Sequence, residues 1–150
     1  MSSFADTSFL CALYRTQSNS AQADQYMAGL NGALGVSSLL LLEFRQSVRL
    51  QIWLHLNDRT RGFPQSAGQQ MLNDLQKDLN TGLLTVSPVD WAAVHQRAEA
   101  LSSAHTVAAG HRLADILHVA TALHLGGRYF LTFDGNQKKL AEAEGLKVVV

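Results

Sequence analysis

Gly126-Gly-Arg-Tyr-Phe-Leu-Thr-Phe-Asp134-Gly-Asn-Gln137 is the stretch on which the fold turns. The glycine pair ends whatever helix precedes it, and Tyr129 to Phe133 is apolar enough for a strand in the middle of a parallel sheet, where both faces are covered. Upstream, after Gly110, a helix is expected from about His111 to His124, with Leu113, Ile116, Leu117, Ala120 and Leu123 buried. Downstream, a helix around Gln137 to Glu144 leads to a last strand at Leu146 to Val150. A helix feeding a strand, then a helix and another strand, is the unit of a parallel sheet with right-handed crossovers.

The same alternation extends back to the N-terminus. Ser2 to Ala5 reads as the first strand and Thr7 to Tyr14 as a short apolar helix. Ser20 can cap a helix reaching about Asn31, and Gly32 and Gly35 mark the turn after it. Gly35-Val-Ser-Ser38 reads as a brief strand running into a helix, with Ser38 as its N-cap. In that helix Leu41, Phe44, Val48 and Ile52 recur at the three- and four-residue spacing of a core-facing stripe, and Arg59 to Gly62 ends it. Met71, Leu75 and Leu79 give the same signal over Gln65 to Asn80, stopped by Gly82. Leu83 to Val86 is the next strand, and Ser87-Pro-Val-Asp90 predicts a helix with a serine cap and proline in its first turn, ending near His105. The class is α/β.

At 150 residues, 47% of them apolar and 16% charged, the chain is expected to form one domain over residues 1–150 with a core of its own. Cys11 is the only cysteine, which excludes an intramolecular disulfide and a cysteine-based zinc site. The longest apolar run, Phe9 to Tyr14, is far short of the roughly 20 residues that span a bilayer, and the start lacks a secretion signal, so a soluble cytoplasmic protein with no membrane partner is expected. Formal charge is zero, with 12 basic and 12 acidic residues, so net charge does not announce a nucleic-acid binder. Its distribution is more informative: Arg45, Arg49, Arg59 and Arg61 fall in a stretch whose only acid is Asp58.

Four acids lie in apolar surroundings: Asp6, Glu43, Asp115 and Asp134. Asp6 and Asp134 directly follow strands, and ligands of open parallel sheets bind outside the carboxyl ends of the strands. Glu43 and Asp115 lie in the first turns of helices that could bring them to the same edge. Each has an ordinary alternative, as a helix cap for the aspartates or as half of a surface Arg112–Asp115 pair. Together the four would repel one another and raise each other's pKa without a cation. Magnesium or manganese resolves this, because hard cations prefer oxygen ligands, and such sites cut phosphodiesters. Ser8 and Thr132, each two residues from a strand-end acid, carry hydroxyls able to orient a carboxylate.

Asp6-Thr-Ser with its apolar pair, Glu43 in a leucine-rich helix start, Arg112-Leu-Ala-Asp115-Ile-Leu-His118 and Thr132-Phe-Asp134 with Gln137 and Gly145-Leu146 together resemble the PIN domains. The similarity is greatest to the virulence-associated protein C-like toxin ribonucleases of type II toxin–antitoxin modules, and it covers essentially the whole chain. It implies a three-layer α/β/α sandwich with a five-stranded parallel sheet of order 3-2-1-4-5. It also implies metal-dependent endoribonuclease activity, with Asp6, Glu43, Asp115 and Asp134 as the acidic quartet holding Mg2+ or Mn2+. Thr132 would support the site, and Arg112 would contact phosphate or steady Asp115. A homodimer and a cognate antitoxin whose tail enters the acidic groove are implied as partners. Where some relatives carry a further acid this chain has Gly135 and Asn136, and it is longer than many toxins between residues 55 and 82.

Other constellations are poorer. His111 and His118 flank Asp115 but sit seven apart, and a packing or supporting role is expected for both, with His118 pointing elsewhere on its helix. His55, His95, His105 and His124 show no ligand spacing, and no phosphate loop or nucleophile elbow is present. Trp53 and Trp91 fall within helical stripes, suited to core or interface. A receiver domain would need adjacent acids after the first strand and a lysine before the last strands, which this chain lacks. The remaining alternative is a catalytically silent PIN-like module kept for dimerisation or protein interaction.

Overall fold

The computed structural model describes residues 2–150. Five short strands form one parallel sheet, β1 (Ser3–Ala5), β2 (Leu34–Val36), β3 (Leu84–Val86), β4 (Tyr129–Leu131) and β5 (Lys147–Val148), in the order β3-β2-β1-β4-β5. The helices are α1 (Thr7–Tyr14), α2 (Ser20–Gly29), α3 (Ser38–Asn57), α4 (Gln65–Thr81), α5 (Trp91–Ala109), α6 (Leu113–His124) and α7 (Gly135–Ala143).

Successive strand residues face opposite sides of a pleated sheet, and this divides the core in two. Phe4 and Phe130 point to one side, where they meet Val94 and Ala98 of α5, Ile116 and Val119 of α6 and Leu140 of α7. Ala5, Leu34, Val36 and Leu131 point to the other, against Phe9 and Leu10 of α1, Phe44 and Val48 of α3 and Leu75 of α4. The α/β/α sandwich and its strand order are therefore as the sequence and its resemblance imply. Fully burying a side chain such as Phe9, Phe44 or Phe130 contributes about 1.5–3 kcal/mol.

Local boundaries differ from expectation where two signals compete. Ser37, not Ser38, caps α3, its hydroxyl accepting from the Leu40 amide at 3.0 Å, because β2 starts at Leu34 and the helix follows one residue sooner. Asp90, not Ser87, caps α5. The Ser87 amide instead extends the sheet by donating to Val36 O at 2.9 Å, which leaves Pro88 in the extended link. The helix α5 also runs on to Ala109, where Gly110 closes it in the left-handed region at φ 69°. Leu113, expected in the core, is 69% exposed at the first residue of α6. Among the described residues no helix is long and apolar enough to cross a membrane.

The chain builds β1 to β3 in one direction, then returns to lay β4 and β5 on the other side of β1. The switch point lies between β1 and β4, where a parallel sheet leaves a crevice at its carboxyl edge.

Candidate active site

Asp6 follows β1 at that crevice. Its backbone amide donates to Leu131 O at 3.1 Å, and its Oδ1 caps α1 by accepting from the Phe9 amide at 3.0 Å. Ser8 Oγ donates to the same oxygen at 2.6 Å, and Thr132 Oγ1 donates to Oδ2 at 2.6 Å. Asp6 is only 2% exposed. Burial pushes its pKa above the usual carboxylate value, against these hydrogen bonds, which pull the other way. Among the described residues no arginine, lysine or histidine bonds to it.

Thr132 joins the two strand ends. Its oxygen also accepts from the Asp134 amide at 3.0 Å, so one buried hydroxyl orients Asp6 and fixes the start of the segment carrying Asp134. Ser8 Oγ mirrors it by accepting from the Phe133 amide at 2.9 Å. Both hydroxyl protons are thus given to Asp6, and the two oxygens stand 3.4 Å apart without a proton to share. Thr132→Val should leave a buried carboxylate oxygen short of a donor and the Asp134 amide without its acceptor. A loss of about 1–3 kcal/mol in denaturant unfolding is expected, with Thr132→Ser close to wild type.

Asp134 commits Oδ1 to capping α7, accepting from the Asn136 and Gln137 amides at 2.8 and 2.9 Å. Its Oδ2 lies 3.9 Å from Arg112 Nη2. Asp115, in the first turn of α6, is buried, and Arg112 Nε and Nη2 approach its two oxygens at 3.0 and 3.4 Å. This pair is no surface ornament, since its carboxylate is enclosed, although the arginine side chain is 76% exposed and free to swing outward. The Asp115 carbonyl accepts from the fully buried Gln137 side chain at 3.2 Å, tying α7 to α6.

Glu43, half-buried in α3, meets His118 of α6 through Oε2 and Nε2. Burial alone would raise the Glu43 pKa, but the hydrogen bond and positive charge of His118 outweigh it and hold Glu43 below the usual range. His118 does not point elsewhere as expected: three residues from Asp115, it shares that residue's face of the helix and turns into the same space. The i, i+3 spacing of Asp115 and His118 was the available sequence signal. Gln137 entered only through the family resemblance, since no local spacing points to a partner that is a backbone carbonyl 22 residues away.

All four acids, with Ser8, Arg112, His118 and Gln137, line one cleft of about 420 Å³. Thr132 lies behind Asp6. Cys11 also borders the cleft, but burial raises its thiol pKa, which favours the unreactive protonated form. Among the described residues no three carboxylate, imidazole or thiolate side chains are already drawn into a ligand cluster. The donor set nonetheless suits a hard cation, since it is built of carboxylate oxygens and includes one buried carboxylate with no cationic partner. Asp6, and Asp134 through its Oδ2 and Asp115 once Arg112 swings aside from both, are the groups able to hold it.

A parallel sheet in this order with an acidic crevice at its switch point is the frame of a PIN domain, and the PIN domain family model matches residues 3–143. The chain belongs to the PIN domain family. No curated protein matches the sequence significantly. Among solved structures it is similar to VapC20 of Mycobacterium tuberculosis, a sarcin-ricin loop cleaving toxin, with a TM-score of 0.67 and 20% identity over 97% of each chain. It is also similar to FitAcB from Neisseria gonorrhoeae, with a TM-score of 0.62 and 17% identity over 99% of this chain and 96% of that one. At such identities the likeness is one of fold.

Proposed function

We propose that this protein is a magnesium- or manganese-dependent endoribonuclease acting as the toxin of a type II toxin–antitoxin module. The observation that carries the reading is the buried Asp6 carboxylate, facing a cleft shared with Glu43, Asp115 and Asp134 and, among the described residues, lacking a cationic partner of its own. Membership of the PIN family and likeness in fold to a sarcin-ricin loop cleaving toxin support it.

When bound, a divalent ion supplies charge that favours attack by water and offsets the negative charge on the departing oxygen. The chain supplies the rest. Ser8 and Thr132 hold both Asp6 oxygens in place, and the α1 and α7 caps fix Asp6 and Asp134 to rigid helix starts. His118 keeps Glu43 ionised and turned to the cleft, where it can accept a proton from the attacking water. Arg112, exposed beside the acids, is placed to exchange Asp115 for a phosphate oxygen of the substrate.

The antitoxin and homodimer in this reading rest on the family. Leu39 and Leu42 of α3, with Trp91 and Leu117, line a shallow apolar groove in which Leu42 is 63% exposed, a surface of the kind that association covers.

Purified protein should cleave structured RNA with magnesium or manganese and stop on chelation. Metal at 100 times its Kd should stabilise the fold by about 2.7 kcal/mol, seen as a rise in Tm. Cleavage that persists in chelator would overturn the metal reading, and growth unaffected by expression would overturn the toxin reading. A catalytically silent interaction module would bind its partner and show neither effect.

A further inference from the structure

The cleft extends well beyond the four acids. One wall is a face of α1 carrying Ser8 and Cys11, continued by Arg15 just past the helix end; the other is a face of α3 carrying Glu43, Ser47 and Gln51 at successive four-residue steps. At about 1.5 Å per residue these faces carry the groove roughly 12 Å from the acids. Its character reverses on the way. Beyond Glu43 the lining holds no acid: it consists of Arg15, Gln17 and Gln51 over a floor of Val48, Phe63 and Met71.

This far end is built rather than incidental. Arg15 lies with its guanidinium carbon 4.9 Å from the centre of the buried Phe63 ring, a cation–π arrangement that rests the guanidinium against the floor. Phe63 is held by its amide donating to Gln51 O at 3.4 Å, and Gly62 before it is pressed onto that same carbonyl in a left-handed conformation at φ 61°. Among the described residues Arg15 has no carboxylate partner, and the Gln17 and Gln51 side-chain amides make no hydrogen bond within the chain. A guanidinium backed by an aromatic ring and two free amides match two parts of a nucleotide, the phosphate and the base edge.

We infer that this arm of the cleft is a subsite for a nucleotide flanking the scissile bond of single-stranded RNA, with Arg15, backed by the Phe63 ring, on the phosphate and Gln17 and Gln51 on the base edge. The inference rests on the ribonuclease reading and adds the residues that grip the substrate away from the metal.

The test is fluorescence anisotropy of 5′-labelled octa-adenylate and octa-uridylate with the full chain in EDTA, which prevents cleavage, over a salt series. Arg15→Gln should weaken binding on the order of tenfold and lower the salt slope by about 0.7, the value for one phosphate contact on a single strand. Arg15→Lys should keep the slope but not the affinity, because the ammonium lacks the flat stacking face. In metal, Arg15→Gln should raise KM while kcat is retained. Arg97→Gln, on the exposed surface of α5, is the control. Equal affinity and slope for Arg15→Gln and wild type would overturn the subsite, and so would an equal loss with Arg97→Gln; if Asp6→Asn still abolished cleavage in either case, the ribonuclease reading would stand. Wild-type protein that binds neither oligonucleotide would also overturn the subsite, while metal-dependent cleavage of structured RNA would keep the ribonuclease reading.

Discussion

Asp6→Asn is expected to lower RNA cleavage by on the order of 10³-fold, since charge stabilisation by a divalent ion amounts to several kcal/mol and each 1.36 kcal/mol is a factor of ten. The same change should leave the fold intact. Asparagine caps helices as well as aspartate does, so the bond to the Phe9 amide survives, and the two hydroxyls of Ser8 and Thr132 can rotate to suit an amide. Burial raises the pKa of Asp6 above its unfolded value. The metal-free folded protein therefore binds that proton more tightly than the unfolded chain does. The stability so gained is present at low pH and is lost as pH rises through the folded-state pKa. In EDTA the stability of Asp6→Asn relative to wild type should accordingly grow with pH across that range, as followed by urea unfolding. Undiminished cleavage by the variant would remove Asp6 from the site; a pH-independent difference would mean that the carboxylate is not desolvated as its burial implies.

The second large effect concerns folding. Gly62→Ala should destabilise the protein by about 3 kcal/mol, because a left-handed backbone costs a non-glycine residue roughly 1–2 kcal/mol and the added methyl would stand 2.0 Å from Gln51 O. Backbone on both sides leaves no flexible side chain to yield. For a chain of this size that is a fall in Tm of about 6–12 °C. If the loop instead swings outward to relieve the clash, Phe63 leaves its place under Arg15, and RNA binding should suffer while metal affinity holds. A variant with wild-type Tm and wild-type RNA affinity would show that the loop does not lie against α3 in solution.

The layers of the sandwich were legible because apolar runs and turn residues punctuate the chain cleanly, most of all around Tyr129 to Phe133. The acids at the carboxyl edge were legible for the same reason, although only Asp6 directly follows its strand: β4 ends at Leu131, so Thr132 and Phe133 stand between it and Asp134. Caps were less so. With strands of three residues, Ser37 and Ser38 are equally plausible on pattern alone, and only the register of Leu34 on Leu84 decides between them. The proline after Ser87 resembled a first helical turn, but the Ser87 amide was needed by the sheet. Leu113 looked internal by period yet lies at a helix start with nothing packed over it. The pairing of His118 with Glu43 spans 75 residues and that of Arg15 with Phe63 spans 48, so neither could be found by local spacing. Tertiary contact, not propensity, creates them.

Asp6 and Asp134 each serve twice, as a wall of the cleft and as the residue that starts a helix. A lineage that abandons cleavage is therefore not free to let these positions wander, because most replacements would fray α1 or α7. Their persistence in a relative is weak testimony to activity, whereas drift to asparagine, which preserves the cap and removes the charge, would be the signature of a descendant that has kept the scaffold and given up the chemistry.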